Sequence, residues 1–222
     1  NFFGGVYGLE GSDLEKRKKW VLNIAGLDGK QKVLTSSLSV GFKQRLALGC
    51  AVIHEPKIVF LDEPTGGVDP VSRRKFWDLI NDLSDKGTTV FVTTHYLDEA
   101  EFCNRIILIN AGKLIASGSP KELKNEYIKN VVLEIDCSDI YTAIEILDKN
   151  NLTENTSIFG NSLHITLKDK IESEENEIKE KANVIRELLE KSQIKVNRIE
   201  QISPSLEDVF LFLLEKSSHD VK

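Results

Sequence analysis

The feature that most constrains this chain is a pair of short apolar runs with polar residues at their ends. Ile58-Val59-Phe60-Leu61 stops on two adjacent acids, Asp62 and Glu63, and Val90-Phe91-Val92 leads into Thr93-Thr94-His95. Uninterrupted apolar runs this short are the texture of strands covered on both faces, as in a parallel sheet. Between them, Pro70 suits the first turn of a helix reaching about Leu83, with Phe76, Trp77, Leu79, Ile80 and Leu83 on its apolar side and Gly87 as its stop. Strands that alternate with helices form a mostly parallel α/β sheet, whose ligand sites lie beyond the carboxyl ends of the strands. Asp62, Glu63 and His95 all fall at that edge.

The flanking segments fit the same class. Ser12-Asp13-Leu14-Glu15 has the form of a capping box, followed by Leu14, Val21, Leu22 and Ala25 at helical spacing and a stop at Gly26. A second helix is expected from about Ser39 to Phe42 up to Pro56, with Phe42, Leu46, Cys50 and Ile53 along one face. Tyr96 to Cys103 reads as a helix, and Asn110-Ala111-Gly112-Lys113 as the turn of a hairpin. Ser119-Pro120-Lys121-Glu122 begins another helix. Beyond it come a strand at Val131 to Ile135, a helix near Ile140 to Leu147, a hairpin over Ser157 to Leu167, a helix from about Ser173 to Lys191, a strand over Ile194 to Ile202 and an amphipathic piece from Ser205 to Lys216. That is roughly the β-α-β-β-α-β order of a small α+β domain. We place the boundary near residue 128, giving domains of 1–128 and 129–222.

Composition narrows the class. With 222 residues and 41% hydrophobic content there is enough chain for one large or two small cores. No apolar run approaches the roughly 20 residues of a membrane-spanning helix. Cys50, Cys103 and Cys137 are odd in number and far apart, which supports neither a disulfide framework nor a zinc site. From Val131 onward there are 11 Lys and Arg against 19 Asp and Glu, net −8, whereas residues 1–130 carry 18 against 16, net +2. The acidic second half argues against nucleic acid as a partner, because phosphate binding needs clustered positive charge. The chain begins Asn1-Phe2-Phe3-Gly4-Gly5 and contains no Met, so we expect a piece of a longer protein.

Four motifs carry chemistry. Leu38-Ser39-Val40-Gly41-Phe42, followed by Lys43-Gln44-Arg45, combines a hydroxyl and a glycine at a helix N-terminus, where free N–H groups and the helix dipole favour anionic oxygens. Leu61-Asp62-Glu63-Pro64 puts two carboxylates at a strand end; adjacent strand residues point in different directions, so the two acids are expected to do different work. Gly66-Gly67-Val68-Asp69 reads locally as a turn closed by Asp-Pro. His95 supplies an imidazole that can donate to a phosphate oxygen. His54, His164 and His219 read as structural.

In this order and spacing the motifs resemble those of the ATP-binding subunits of ABC (ATP-binding cassette) transporters. The first resembles the signature motif, the second the Walker B strand, the third the D-loop and His95 the switch histidine. The stretch from Pro64 to Arg74, Thr94-His95-Tyr96-Leu97-Asp98-Glu99-Ala100-Glu101 and Pro204-Ser205-Leu206-Glu207-Asp208-Val209-Phe210 are similar to the ATPases that pair with ABC-2-type permeases, many of them exporters of drugs or other amphipathic compounds. The resemblance implies part of a P-loop NTPase sheet with its helical subdomain, followed by the α+β domain. It also implies ATP and Mg²⁺ as cofactors, with Asp62 orienting the metal, Glu63 polarising the attacking water and His95 on the γ-phosphate. Ser39, Gly41 and Asp69 would serve across the interface with a second ATP-binding subunit, identical or not. A membrane permease would complete the assembly at the cytoplasmic face.

No G-x-x-x-x-G-K-[ST] loop occurs, nor the glutamine segment that couples it to the permease, so these residues alone are expected to lack ATPase activity. Two other readings are open: a non-catalytic regulatory or interaction fragment, and an ABC-family ATPase acting on ribosomes or DNA. Residues 129–222 show neither the heptad seam nor the basic face that the last would need. The apolar run Val209 to Leu214 is expected to pack on a neighbouring domain or subunit.

Overall fold

The computed structural model describes residues 1–168 and 175–219 and divides the chain into two compact units, Asn1–Phe102 and Cys103–Lys222. The first holds α1 (Phe2–Val6), α2 (Gly11–Ile24), α3 (Val40–Val52), β1 (Ile58–Asp62), α4 (Pro70–Asp85), β2 (Thr89–Thr93) and α5 (Leu97–Ala100). β1 and β2 pair in parallel with Asp62 opposite Thr93, so both motif-bearing strands end at the same edge. α4 crosses between them and buries the five residues its pattern singles out, Phe76, Trp77, Leu79, Ile80 and Leu83. Asp69 caps it, accepting a hydrogen bond from the Ser72 amide at 2.9 Å, and Pro70 occupies the first turn, where a missing N–H costs nothing.

Several local expectations need correction. α2 starts at Gly11 with Glu10 as N-cap and no side-chain cap bond, so Ser12 lies inside the first turn and the expected capping box does not form. Gly26, at φ 66°, does end the helix: its N–H donates to the Asn23 carbonyl, and that of Leu27 to the Leu22 carbonyl. In α3 the buried positions are Gly41, Arg45, Leu48, Gly49 and Val52, a face rotated away from Phe42, Leu46 and Cys50. Small residues decide this. A Cβ on Gly49 would stand 2.6 Å from Val21 Cγ1, so α3 meets α2 through this glycine rather than through its largest apolar groups. β1 and β2 are not covered on both faces: Phe60 is 75% exposed and Phe91 52%, their rings stacked at 5.2 Å. Each strand has one strand neighbour among the described residues, and α4 packs against β2. α5 is shorter than expected.

The second unit begins with an antiparallel hairpin, β3 (Ile106–Asn110) and β4 (Lys113–Gly118), turned by Ala111 and Gly112 with φ of 47° and 75°. α6 (Pro120–Tyr127) opens with a complete capping box, Ser119 and Glu122 each bonding the other's backbone. β5 (Val132–Cys137), α7 (Ile140–Lys149), β6 (Thr153–Phe159), β7 (Ser162–Leu167), α8 (Glu175–Lys191) and β8 (Val196–Ile202) then follow in the expected β-α-β-β-α-β order. The expected start of α8 at Ser173 lies outside the described residues. All pairs are antiparallel, in the spatial order β6-β7-β5-β8. Leu133, Ile135, Leu163, Ile165, Leu147, Ile185 and Leu189 form the core between this sheet and its two helices. α9 (Leu206–His219) buries Leu206, Val209 and Leu213 against α6 and β6. The apolar tail thus packs on α6, which precedes the expected boundary at residue 128, and on β6.

Candidate functional site

Glu63 is the first residue past β1, and it leaves the strand in the left-handed region at φ 41°. Its N–H stays tied to β2, donating to the Thr93 carbonyl at 3.1 Å and lying 3.2 Å from Thr93 Oγ1. A turn follows at once, with the Gly66 N–H on the Glu63 carbonyl at 3.1 Å. The separation of Asp62 from Glu63 thus comes from a strained turn rather than from the alternation of an extended strand. Such a conformation in a non-glycine residue costs on the order of 1 kcal/mol and persists only where the surroundings hold it.

The two acids then face different partners. Asp62 Oδ1 accepts a short hydrogen bond from the Thr93 hydroxyl, leaving Oδ2 for another ligand. Glu63 Oε2 lies 3.2 Å from His95 Nδ1, both side chains being more than half exposed. An ionised carboxylate only accepts, so this contact puts a proton on Nδ1. Nε2 then donates to a phosphate oxygen only when the ring carries a second proton, a condition that the motif alone does not reveal. The His95 ring also lies 4.1 Å from that of Tyr96, which carries the Arg73 guanidinium at 4.2 Å.

The loops behind this pair are joined by a buried carboxylate that the sequence reading passed over. Glu99 is 0% exposed; its Oε1 accepts from the Thr65 hydroxyl at 2.6 Å and its Oε2 from the Thr94 hydroxyl at 2.9 Å. Arg73 Nε stands 3.2 Å from Oε1. Two strand-end threonines followed by an acid at the next helix start were the available signal, but only the fold tells which hydroxyl meets which oxygen.

Ser39 is the N-cap residue of α3, exposed and without a side-chain cap bond, so its hydroxyl is uncommitted at a helix N-terminus. Gly41, by contrast, faces inward. A Cβ there would lie 2.8 Å from Ser72 Cβ and 3.3 Å from Val68 Cγ1, which gives the glycine a packing reason within the chain. Gly41→Ala is therefore expected to cost about 1–3 kcal/mol of stability, read as a lower urea midpoint with unchanged slope. Asp69 sits beside this contact at the head of α4, its carboxyl held below the ordinary range by the Ser72 side chain and amide. Arg45 of α3 is buried nearby: burial pulls its pKa down, and the charge of Asp69 opposes that shift.

Ser39, Gly41 and Asp69 thus gather around the α3–α4 contact, whereas Asp62, Glu63 and His95 gather at the β1–β2 edge. Among the described residues no group of three or more His, Cys, Asp or Glu could hold a metal by itself. A single free oxygen on an exposed Asp62 fits a magnesium ion held mainly by water and phosphate, since that ion uses one or two carboxylates and keeps several waters.

A parallel pair that delivers two acids and a histidine to one edge, with a glycine-bearing helix N-terminus nearby in sequence, is the arrangement that the resemblance to ABC-type cassettes implies. Two segments of the chain match the ATP-binding proteins of ABC transporters. Residues 9–66 match the family described as "ABC transporter", and residues 118–213 match "ATP-binding protein DrrA1-3-like, C-terminal domain". The chain is 54% identical over 123 residues to the Escherichia coli protein named "Probable multidrug ABC transporter ATP-binding protein YbhF", covering 55% of this chain and 21% of that one. It is 32% identical over 212 residues to the "Nod factor export ATP-binding protein I" of Rhizobium etli, covering 95% of this chain and 62% of that one. The solved structure of cbiO1 from Clostridium perfringens, part of the ABC transporter complex cbiONQ, superposes with a TM-score of 0.51 at 31% identity, covering 56% of this chain and 51% of that one. The chain thus spans between about a fifth and three fifths of the length of these curated relatives.

Proposed function

We propose that these residues form the hydrolytic edge and accessory domain of an ATP-hydrolysing subunit that powers export through a membrane permease. The carrying observation is the Glu63–His95 contact of 3.2 Å beside Asp62, at the carboxyl end of a parallel strand pair. Support for export comes from the names of the two curated relatives, both of them export or multidrug ATP-binding proteins. In this reading residues 1–128 are the cassette portion, with signature, Walker B, D-loop and switch histidine. Residues 129–222 are a regulatory or dimer-supporting domain. The partners are a second ATP-binding subunit and an ABC-2-type permease, at the cytoplasmic face of the membrane. Among the described residues no helix is long and apolar enough to cross a membrane.

The chemistry follows from the side chains. Bound Mg-ATP supplies the electrophilic γ-phosphoryl group, and the rest is positioning and charge. Glu63 accepts a hydrogen bond from the attacking water and orients it. His95, its Nδ1–H donating to Glu63, presents Nε2 toward the phosphate and donates to it when the ring carries both protons. Asp62 would hold the metal through Oδ2, since Thr93 fixes the other oxygen. Ser39, at the start of α3, points free N–H groups and a hydroxyl at the nucleotide of the opposite subunit.

Asp62→Asn separates the acids. In the product of the complete coding sequence, this change should weaken ATP binding with Mg²⁺ by roughly 10-fold and leave binding in excess EDTA unaltered, measured by equilibrium titration of a fluorescent ATP analogue. Equal weakening in both conditions would remove Asp62 from the metal's surroundings.

A further inference from the structure

Glu99 lies outside the four motifs, yet it ties their loops together. It is fully buried, and a buried carboxylate is stable only when its oxygens are satisfied by donors or positive charge. Its hydrogen-bond donors come from two loops, Thr65, two residues after Glu63, and Thr94, immediately before His95, while the Arg73 guanidinium on α4 supplies positive charge 3.2 Å away. Thr65 is itself 1% exposed, and its carbonyl accepts the Val68 N–H at 3.1 Å, which extends the connection to the segment leading into Asp69. Thr94 Oγ1 also accepts the Tyr96 N–H at 3.1 Å, so that one hydroxyl shapes the backbone on both sides of His95.

The spacing of Glu63 and His95 is therefore not fixed by their own contact. Both side chains are more than half exposed, and an exposed pair of this kind contributes little to holding its own geometry. What is rigid lies underneath. One carboxylate bridges the loop after β1 and the loop after β2, with an oxygen assigned to each. Resting on the reading that Glu63 and His95 serve ATP hydrolysis, we propose that Glu99 is a positioning residue for that reaction, setting the distance between the two groups through Thr65 and Thr94. Glu99 touches neither nucleotide nor water in this role. It acts by keeping two loops in register, and a misplacement of about 1 Å in such a site can cost about 100-fold in rate.

The test uses the product of the complete coding sequence, with its permease where turnover requires it. Glu99→Gln keeps the shape but removes the charge facing Arg73 and turns an N–H₂ group toward one of the two donating hydroxyls. It should lower kcat for ATP by about 10- to 100-fold while the KM for ATP stays within about threefold, the signature of lost transition-state positioning. Because a buried substitution can also unfold the protein, the pair Thr65→Val and Thr94→Val provides a second route. Each removes one tie and retains side-chain shape, and each should reduce kcat, with the double variant approaching Glu99→Gln. If the melting temperature falls in these variants while kcat per folded site stays within about twofold of wild type, Glu99 is structural and the proposal is overturned. Glu63→Gln, run in parallel, tells the two readings apart. If it hydrolyses ATP normally, the reading of the site itself fails and the proposal with it; if it is inactive while the Glu99 and threonine variants are not, only the positioning role is refuted.

Discussion

Glu63→Gln in the product of the complete coding sequence is expected to lose ATP hydrolysis by at least about 100-fold while still binding Mg-ATP. The amide keeps the size of the side chain and can donate to His95 or to water, but it no longer accepts a proton from or polarises the attacking water. With hydrolysis blocked and binding intact, the two-subunit form closed around nucleotide should persist. Size-exclusion chromatography in Mg-ATP should therefore move the variant to the dimer position and leave the wild type mostly monomeric. The expectation depends on the left-handed turn at Glu63, which points this side chain at His95 and leaves Asp62 on Thr93. A variant that stays monomeric and hydrolyses ATP at the wild-type rate contradicts it.

Asp208→Ala should be the most damaging single change in the second unit. Asp208 is 4% exposed and makes three connections: Oδ1 to His164 Nδ1 at 3.0 Å, and Oδ2 to the Ser205 amide and hydroxyl at 2.7 and 2.8 Å. It thereby caps α9 and fastens it to β7. Removing one partner of a buried, hydrogen-bonded charge pair costs about 3–5 kcal/mol, and the loss of a helix cap adds about 1 kcal/mol. The groups around His164 are Asp208 on α9 and Glu134 on β5 at 3.5 Å, the latter also paired with Arg198 on β8, with Phe159 of β6 stacked at 3.9 Å. Burial pulls the His164 pKa down, but the hydrogen bonds and charges of Asp208 and Glu134 outweigh it and the net shift is upward. Burial pushes the Asp208 carboxyl up, but its bonds to His164 and Ser205 carry it below the ordinary aspartate value.

The signs give a pH window. A histidine raised on folding stabilises fully below its unfolded value of about 6.5 and less as pH climbs through the folded value. An aspartate lowered on folding stabilises fully above about 3.8 and less as pH drops through its folded value. The pair should therefore contribute most between about pH 4 and 6.5, and urea unfolding should show its contribution declining toward pH 8 in the wild type but not in His164→Gln. Identical pH profiles for the two proteins would remove the charged pair from the account.

Periodicity carried much of the architecture. The five buried residues of α4 were legible because Pro70 and Gly87 bracket a clean helical stripe, and the β-α-β-β-α-β order was legible because its core strands alternate with amphipathic helices. What failed was decided by contact between elements. α3 turned its glycines inward because α2 and α4 approach too closely for larger groups, and no single-helix pattern encodes that. β1 and β2 read as buried on both faces because their residues are apolar, yet burial depends on which neighbours are present. At the site, the residue types and their edge were legible from the strand ends. The left-handed turn at Glu63, the proton that its carboxylate places on His95 Nδ1 and the Glu99 bridge were not, since each depends on how the loops after β1 and β2 meet in the fold.

The central claim is that Glu63 and His95 act as one unit at the edge of the β1–β2 pair. A double-mutant cycle on steady-state phosphate release measures this directly, using wild type, Glu63→Gln, His95→Ala and the double variant, each made from the complete coding sequence and assayed in saturating Mg-ATP. The account predicts strong non-additivity, with the double variant no more than about threefold slower than the slower single variant, because removing either member already disables the pair. Independent losses that multiply in the double variant, or a His95→Ala variant as fast as wild type, would contradict it.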